Sequence, residues 1–259
     1  MGYVFDFKTA QQYDSWYDDP RNRFVSELED QLLLKLLEPV PGERLLDIGC
    51  GTGRHLLMFL EMGLEVTGFD RSPYMLGIAK ERVGHRAALY QGVAEDLPFE
   101  DNSFNIATLI TTLEFVDDPQ QAIQEACRVA KDRIFLGVLN RYSIKGIERK
   151  LKGMFSESVY NHAQFFSVWR LKQYVRQVLG KTPLRWGTVY SLPVRFMKCT
   201  RYVERCSLVQ RLPFGGFIGM VITLMPRYHA GTIPLKYIHD TGGAMPGLIQ
   251  TPTHSQKGG

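Results

Sequence analysis

A glycine-rich turn near residue 50 constrains the fold of this chain more than any other feature. Residues 45–53 read LLDIGCGTG, in which an apolar run leads into Gly49, Gly51 and Gly53 at alternate positions. Glycine permits positive φ and lets backbone N–H groups approach a ligand closely, and a following helix adds its positive N-terminus. The motif therefore predicts a strand, a ligand-binding turn and a helix; the alternative is a tight turn without a ligand.

The rest of the chain alternates between strand-like and helix-like patterns, as expected around such a turn. From residue 44 onward, short apolar or β-branched runs alternate with amphipathic helical patterns, which is typical of a parallel sheet built from strand–helix units. The predicted fold is α/β, a doubly wound, mostly parallel seven-stranded sheet with N-terminal helices and a C-terminal helical insertion. We predict strands at 45–48, 64–69, 87–91, 104–110, 134–139, 184–190 and 217–224, and helices at 11–16, 24–37, 54–62, after 72, after 117 and at 168–179.

An acidic residue at the end of the second predicted strand indicates an adenosine ligand. Asp70 lies 17 residues after Gly53, where a carboxylate can accept hydrogen bonds from both ribose hydroxyls. The arrangement would serve NAD as well as other adenosine cofactors. The dinucleotide fingerprint G-x-G-x-x-G, however, needs a glycine at the position that Arg54 occupies. A nicotinamide oxidoreductase is therefore only the third hypothesis for the function.

Five sequence blocks, in order, resemble the class I methyltransferases, particularly the bacterial small-molecule group that includes the ubiquinone and menaquinone C-methyltransferases. The blocks are YDSWYDDP at 13–20, LLDIGCGTGRHL at 45–56, VTGFDRSPYML at 66–76, AEDLPFEDNSFN at 94–105 and LEFVDDP at 113–119. The resemblance implies a Rossmann-like methyltransferase fold, S-adenosyl-L-methionine as cofactor and a small-molecule acceptor. The alternative from another class is a non-catalytic S-adenosylmethionine-binding regulatory module on the same fold.

The resemblance also implies which residues hold the cofactor. The three glycines would lie under its amino-acid part, Asp47 would orient the loop or meet the ammonium through water, and Asp70 would bind the ribose. Residues 92–95 would frame the adenine, although Val93 stands where many relatives have an acidic or amide residue. A second departure is AKDRI at 130–134, where relatives usually show a lysine-proline-glycine-glycine turn. The full set of cofactor-binding candidates is Tyr13, Asp47, Gly49, Gly51, Gly53, Asp70, Arg71, Val93, Ala94, Glu95 and Thr111.

The acceptor is expected outside the carboxyl ends of the strands, where ligands of open parallel sheets lie. The candidate acceptor residues are Tyr17, Asn140, Arg141 and Tyr142. Methyl transfer is an in-line displacement at a carbon already activated by positive sulfur, so alignment can supply much of the rate without a base. Glu114 and His162 are the candidate general bases. The alternatives are that Glu114 contacts the cofactor or caps the next helix, and that His162 is a loop histidine.

Charge is divided unevenly along the chain. Residues 141–211 hold 15 Lys and Arg against three acidic residues, whereas the remainder holds 16 basic and 24 acidic residues. This basic segment is a solvated face, or it contacts an anionic acceptor or a membrane surface. The sequence has no RNA-binding signature, which argues against nucleic acid. Glutamine replacements at Lys145, Arg149, Lys150 and Lys152 are expected to lower affinity for an anionic acceptor or vesicle.

The pattern divides the chain into four segments. We expect a helical cap (1–40), a cofactor-binding core (41–140), the rest of the sheet with a basic acceptor-side helical insertion (141–250) and a flexible tail (251–259). The longest apolar stretch, 214–225, is shorter than the roughly 20 residues that cross a bilayer, and the N-terminus shows no secretory signal. The expected location is the cytoplasm.

The four cysteines do not form a recognisable metal or disulfide pattern. Cys50, Cys127, Cys199 and Cys206 are irregularly spaced, so we expect them to be reduced and predict no metal site. Cys199 and Cys206 could act as soft ligands in an arsenite-methylating enzyme. Packing within a helix explains their spacing equally well.

Overall fold

The computed structural model describes residues 3–143, 163–190 and 207–224. Several expectations fall outside these ranges. They are His162 as a base, Cys199 and Cys206 as soft ligands, the glutamine replacements between Lys145 and Lys152, and the tail at 251–259.

Two helices precede the sheet. Asp6 caps α1 (Phe7–Ser15), and a short 3-10 turn (Trp16–Asp18) leads to α2 (Pro20–Leu37), which Asp19 caps. Aspartate at these positions accepts hydrogen bonds from otherwise unpaired N–H groups, and proline suits the first turn of a helix. Both helices begin four residues earlier than predicted, because each starts directly after its capping aspartate rather than at its apolar face.

The sheet has seven strands in the described residues, in the order β3-β2-β1-β4-β5-β7-β6. The antiparallel strand is β7, which pairs with β5 and β6, and the other pairs are parallel. The bounds are β1 (Arg44–Ile48), β2 (Glu65–Asp70), β3 (Ala88–Gln91), β4 (Phe104–Ile110), β5 (Ala130–Leu139), β6 (Leu184–Val189) and β7 (Phe217–Thr223). The predicted fold class is confirmed.

Helices cover both faces of the sheet. Leu32 of α2 and Phe59 of α3 (Arg54–Glu61) are buried on one face. Ile123 of α5 (Pro119–Val129) and Leu171 of α6 (Val168–Leu179) are buried on the other. Each buried side chain of this size contributes about 2 kcal/mol. The helices that follow α2 are α3 (Arg54–Glu61), α4 (Pro73–Val83), α5 (Pro119–Val129), α6 (Val168–Leu179) and the short α7 (Ser207–Gln210). Within the described ranges, every helix is too short or too polar to cross a bilayer.

Strand β5 follows α5 without an intervening turn. Ala130 ends the helix in an extended conformation and is already the first residue of the strand. The strand therefore begins four residues before the predicted start at Ile134. The missing proline and glycine of the AKDRI segment correspond to a helix that passes directly into a strand.

The strand order reverses between β1 and β4, and this reversal marks the edge where ligands of such sheets bind. Ile48, at the end of β1, pairs with Phe69 of β2 and with Leu109 of β4. The loops that leave these three strands therefore meet at one edge of the sheet.

Candidate active site

The glycine turn after β1 borders a cavity at this edge. Gly49, Gly51 and Gly53 have φ values of 74°, 54° and 77°, which residues with a Cβ rarely adopt. The Gly49 and Cys50 N–H groups both donate to the Phe69 carbonyl oxygen, at 2.7 and 3.1 Å. These two bonds hold the turn against β2, and the predicted strand, turn and helix are confirmed.

The surroundings of Gly51 and Gly49 differ. A Cβ on Gly51 would meet only the Tyr13 ring, at 4.0 Å from Cε1, and both residues line the cavity. A Cβ on Gly49 would lie 2.3 Å from Thr112 Oγ1. Gly51 therefore leaves space for a ligand, whereas Gly49 leaves space for the Thr112 side chain.

Asp70 lines the cavity at the end of β2. Its Oδ2 accepts from the Gly51 N–H at 2.9 Å, and its Oδ1 accepts from the Ser72 N–H at 2.8 Å. Burial raises the pKa of Asp70, and the hydrogen bonds from Ser72 and Gly51 oppose that rise. Each carboxylate oxygen has more than one acceptor position, so Asp70 can hold the turn and still accept from a ligand hydroxyl.

Asp47 lies beneath the turn and is not among the residues that line the cavity. Its Oδ1 accepts from the Thr108 hydroxyl at 2.7 Å. Burial raises its pKa to about 6, although nearby His55 and the Thr108 hydrogen bond favour the carboxylate. This position supports the expected role in orienting the loop, and contact with the cofactor through water stays a prediction.

Asp47→Asn is expected to raise the free energy of unfolding of the free protein by about 3 kcal/mol at pH 8, or about 6 to 12 °C in Tm. The Asp47 pKa rises from 3.8 in its ordinary state to about 6 in the folded chain. The folded protein therefore keeps a proton that the unfolded chain releases, and stability is lost as the pH rises through about 6. The asparagine lacks this titration, so the two proteins should converge near pH 4 in thermal melts.

The exposed Asp96→Asn is the matched control for that experiment. The same chemical change at this exposed position should leave the free energy of unfolding at pH 8 close to that of wild type. Equal stability of Asp47→Asn and wild type at pH 8 would contradict the burial cost that we assign to the Asp47 carboxylate.

The segment after β3 forms another wall of the cavity, with Gly92, Val93, Ala94 and Glu95 along it. Glu95 Oε1 accepts from the N–H groups of Asp117 and Asp118, at 2.7 and 3.2 Å. The Glu95 side chain thus ties this wall to the start of α5. Val93 offers only an apolar side chain here.

Arg128 holds the loop that follows this wall, a role that sequence reasoning missed. Its guanidinium binds both carboxylate oxygens of Glu125, at 2.8 and 2.7 Å, and donates to the carbonyls of Leu97 and Phe99. Glu125 in turn accepts from the Leu97 N–H at 3.0 Å. The two residues lie three apart on α5, so charge spacing on that helix was the available signal.

Aromatic side chains from the N-terminal segment cover the cavity. The Phe5 ring lies 5.2 Å from the Phe115 ring and 5.9 Å from the Tyr13 ring, and the Tyr3 ring lies 6.1 Å from Phe115. The Ser72 hydroxyl donates to the Phe5 carbonyl at 2.6 Å, which fixes the segment over the site. Sequence analysis predicted Tyr13 but missed Tyr3, Phe5 and Phe115. The available signal was the spacing of aromatic residues at positions 3, 5 and 7.

Tyr17 lies behind Tyr13 and outside the cavity lining. The two hydroxyls are 3.0 Å apart, and the Arg54 guanidinium lies 4.9 Å from the centre of the Tyr17 ring. Burial raises the pKa of Tyr17 to about 12. Arg54 is held on its other side by Asp30 of α2. Tyr17 therefore supports Tyr13, and its contact with an acceptor stays a prediction.

The remaining candidates fall into two groups. Thr111 and Arg71 line the cavity, and Thr111 has a φ of 53°, which is strained for a β-branched residue and typical of functional positions. Asn140, Arg141 and Tyr142 do not line it. Asn140 is buried and its side chain is bonded to backbone groups, while Arg141 and Tyr142 are exposed beside it.

Glu114 is buried next to the cavity wall rather than in it. Its Oε1 accepts from the Leu139 N–H at 2.6 Å, and its backbone carbonyl accepts from the Gln164 N–H at 2.9 Å. The residue thereby joins the loop after β4 to the end of β5. Its expected role as a base stays a prediction, and the other candidate base, His162, lies outside the described residues.

The chain is similar to known proteins over most of its length. A family model for a methyltransferase domain matches residues 46–135. An uncharacterized protein of Methanocaldococcus jannaschii is 34% identical over 222 residues, which cover 84% of this chain and 97% of that protein. A demethylmenaquinone methyltransferase of Renibacterium salmoninarum is 37% identical over 101 residues, 39% of this chain and 42% of that protein. The chain thus spans less than half the length of that relative.

A solved structure shows the same similarity in three dimensions. It is an S-adenosylmethionine-dependent methyltransferase of Thermotoga maritima, described as a possible histamine N-methyltransferase, with 27% identity and a TM-score of 0.65. The alignment covers 84% of this chain and 96% of that one.

Proposed function

Because this chain belongs to the class I S-adenosylmethionine-dependent methyltransferases, we propose that it methylates a small acceptor that presents an apolar ring. The family membership makes the protein an enzyme with S-adenosylmethionine as its cofactor. The chemical class of the acceptor is what the proposal adds. The observation that carries it is the aromatic cover formed by Tyr3, Phe5, Tyr13 and Phe115.

The described cavity fits the cofactor. Asp70 would accept hydrogen bonds from the ribose hydroxyls, and the segment at 92–95 would flank the adenine. The space above Gly51 and the positive N-terminus of α3 suit the amino-acid end with its carboxylate. When bound, the cofactor supplies a methyl group on positively charged sulfur, which is already activated for displacement.

The protein contributes alignment and the exclusion of water. Phe5 and Phe115 close the cavity, and Ser72 anchors the covering segment through the Phe5 carbonyl. Holding two reactants in line makes the reaction effectively intramolecular, which can lower the barrier by about 7 to 11 kcal/mol. The contacts of Glu114 with the N–H groups of Leu139 and Gln164 support a positioning role.

The charged side chains around the cavity are already engaged. Asp70 accepts from two backbone N–H groups, Glu95 accepts from two others, and Arg71 lies 3.6 Å from the Asp117 carboxylate. The surfaces that remain for an acceptor are mostly apolar and include the four aromatic rings, with Thr111 and Thr112 as polar exceptions. Aromatic rings contact one another edge to face or offset. The names of two relatives, which refer to demethylmenaquinone and histamine, both denote small molecules that contain a ring. They support a ring but differ in its polarity, so the apolar character is argued from the cavity.

S-Adenosylhomocysteine at about a hundredfold excess over its Kd is expected to stabilise the protein by about 2.7 kcal/mol, or about 5 to 10 °C in Tm. NAD at the same concentration should leave the Tm unchanged because the glycine spacing does not match a dinucleotide. Stabilisation by NAD alone would contradict the assigned cofactor site.

A transfer assay tests the acceptor. S-Adenosylmethionine labelled in its methyl group is incubated with the enzyme and a metabolite extract, and the products are divided between an organic and an aqueous phase. Label in the organic phase supports an apolar acceptor, and label only in the aqueous phase contradicts it. No labelled product despite tight cofactor binding would favour a non-catalytic module.

A further inference from the structure

A group of exposed aromatic side chains lies at the carboxyl edge of the sheet, outside the cavity lining. Phe214 is 57% exposed, Trp169 is 58% exposed and Tyr142 is 50% exposed. Leu212, two residues before Phe214, is exposed as well. Grouped large apolar side chains on a protein surface mark an interaction site. We refer to these four residues, together with Arg141, Arg170 and Arg211, as the edge surface.

The buried Asn140 fixes two parts of the edge surface relative to each other. Its Nδ2 donates to the carbonyls of Pro213 and Gly215, each at 2.8 Å, so it holds the backbone on both sides of Phe214. Its Oδ1 accepts from the Tyr142 N–H at 3.1 Å. The Tyr142 ring in turn lies 6.2 Å from Trp169, edge to face. The loop that carries Phe214 and the rings of Tyr142 and Trp169 therefore lie at the same edge of the sheet.

The edge surface is cationic. Beyond Leu139, the described residues include seven Lys and Arg and contain neither Asp nor Glu. Arg141, Arg170 and Arg211 are exposed, and none has a carboxylate partner among the described residues. Arg141 lies 5.8 Å from the centre of the Tyr142 ring. Positive charge and apolar rings are thus presented together.

We propose that the edge surface docks on an anionic lipid membrane. Tryptophan and tyrosine suit the boundary between headgroups and acyl chains, and arginines near an anionic bilayer add electrostatic attraction. The aliphatic Leu212 suits insertion between lipids rather than stacking on nucleic-acid bases. A second copy of the chain would bring like charges together. Charge complementarity therefore favours lipid as the occupant.

The edge surface adjoins the cavity through Glu114. This residue holds the Leu139 N–H through its side chain and the Gln164 N–H through its carbonyl, and its neighbour Phe115 lines the cavity. An apolar acceptor dissolved in the bilayer would thus meet the enzyme at the edge where its cavity lies. This step alone rests on the proposed function; the membrane contact does not.

Vesicle flotation of the full chain, without cofactor, tests the proposal. The protein should float with vesicles of phosphatidylcholine and phosphatidylglycerol, bind far more weakly to phosphatidylcholine alone, and dissociate as salt rises to about 1 M. The triple variant Tyr142→Ser, Trp169→Ser, Phe214→Ser should lose about tenfold or more in vesicle affinity. The triple variant Arg141→Gln, Arg170→Gln, Arg211→Gln should lose a similar factor and most of the salt dependence.

The matched control is Tyr74→Ser with Lys80→Gln, an exposed aromatic residue and an exposed cation on α4. This variant should float like wild type. Thermal stabilisation by S-adenosylhomocysteine in every variant shows that the fold is intact and separates a failure of the membrane proposal from a failure of the proposed function. Absence of flotation, equal flotation of the triple variants, or dimers that those variants dissociate would overturn the proposal.

Discussion

Asp70→Ala is expected to weaken the binding of S-adenosylhomocysteine about 100-fold. The carboxylate is placed to accept from two ribose hydroxyls, and it already accepts from the N–H groups of Gly51 and Ser72. Alanine would leave these donors unpaired in a partly buried site and release the glycine turn. The combined loss of binding free energy is about 3 kcal/mol, which corresponds to about a 100-fold loss of affinity. Calorimetric titration measures it directly.

Two other variants make this experiment specific. Asp96→Ala removes an exposed carboxylate close to the adenine wall and should leave affinity unchanged. Val93→Asp should strengthen binding several-fold, by about 1 kcal/mol, because it offers an acceptor for the adenine amino group. Wild-type affinity in Asp70→Ala would mean that the ribose is held elsewhere.

The strands and helices that the sequence predicts well are those with continuous apolar patterns. The bounds of β4 (Phe104–Ile110) and α6 (Val168–Leu179) agree with the prediction, since each element is buried along most of one face and ends at a polar turn. The start of β5 was misplaced because Lys131, Asp132 and Arg133 are polar. Arg133 is nevertheless bonded to Glu43 and to the Leu37 carbonyl. Partners about 90 residues away leave no local signal.

The candidate site residues that the sequence predicts likewise belong to a local pattern, whereas those that were missed depend on partners far away in the chain. The glycines and Asp70 belong to one strand–turn–helix unit, so their spacing carries the information. Phe5 and Phe115 meet only in the folded chain, where the Tyr3 N–H donates to the Phe115 carbonyl at 3.2 Å. Asn140 was predicted to bind the acceptor because it follows a strand at the ligand edge. Its amide is bonded to the backbone of a loop 73 to 75 residues later, which position in the sequence does not reveal, and its contact with an acceptor stays a prediction.

Gly49→Ala is expected to lower the free energy of unfolding by about 4 kcal/mol, and Gly51→Ala by only about 1 kcal/mol. Both positions have positive φ, which costs an L-residue roughly 1 to 2 kcal/mol. Only at Gly49 does the new Cβ collide, at 2.3 Å from Thr112 Oγ1. Thr112 cannot withdraw without losing the bond that its hydroxyl donates to the Ile48 carbonyl, so overpacking adds about 1 to 3 kcal/mol.

Gly51→Ala should therefore be a folded protein with impaired binding. Its Cβ projects toward the cavity, where the nearest atom is Tyr13 Cε1 at 4.0 Å, and occupies space that we assign to the cofactor. We expect at least about a tenfold loss of affinity for S-adenosylhomocysteine, or about 1.4 kcal/mol. Chemical denaturation of both variants and calorimetry of Gly51→Ala measure the two effects. Wild-type affinity in Gly51→Ala would place the cofactor away from this turn, and equal destabilisation of the two variants would show that backbone strain, not the Thr112 contact, limits the turn.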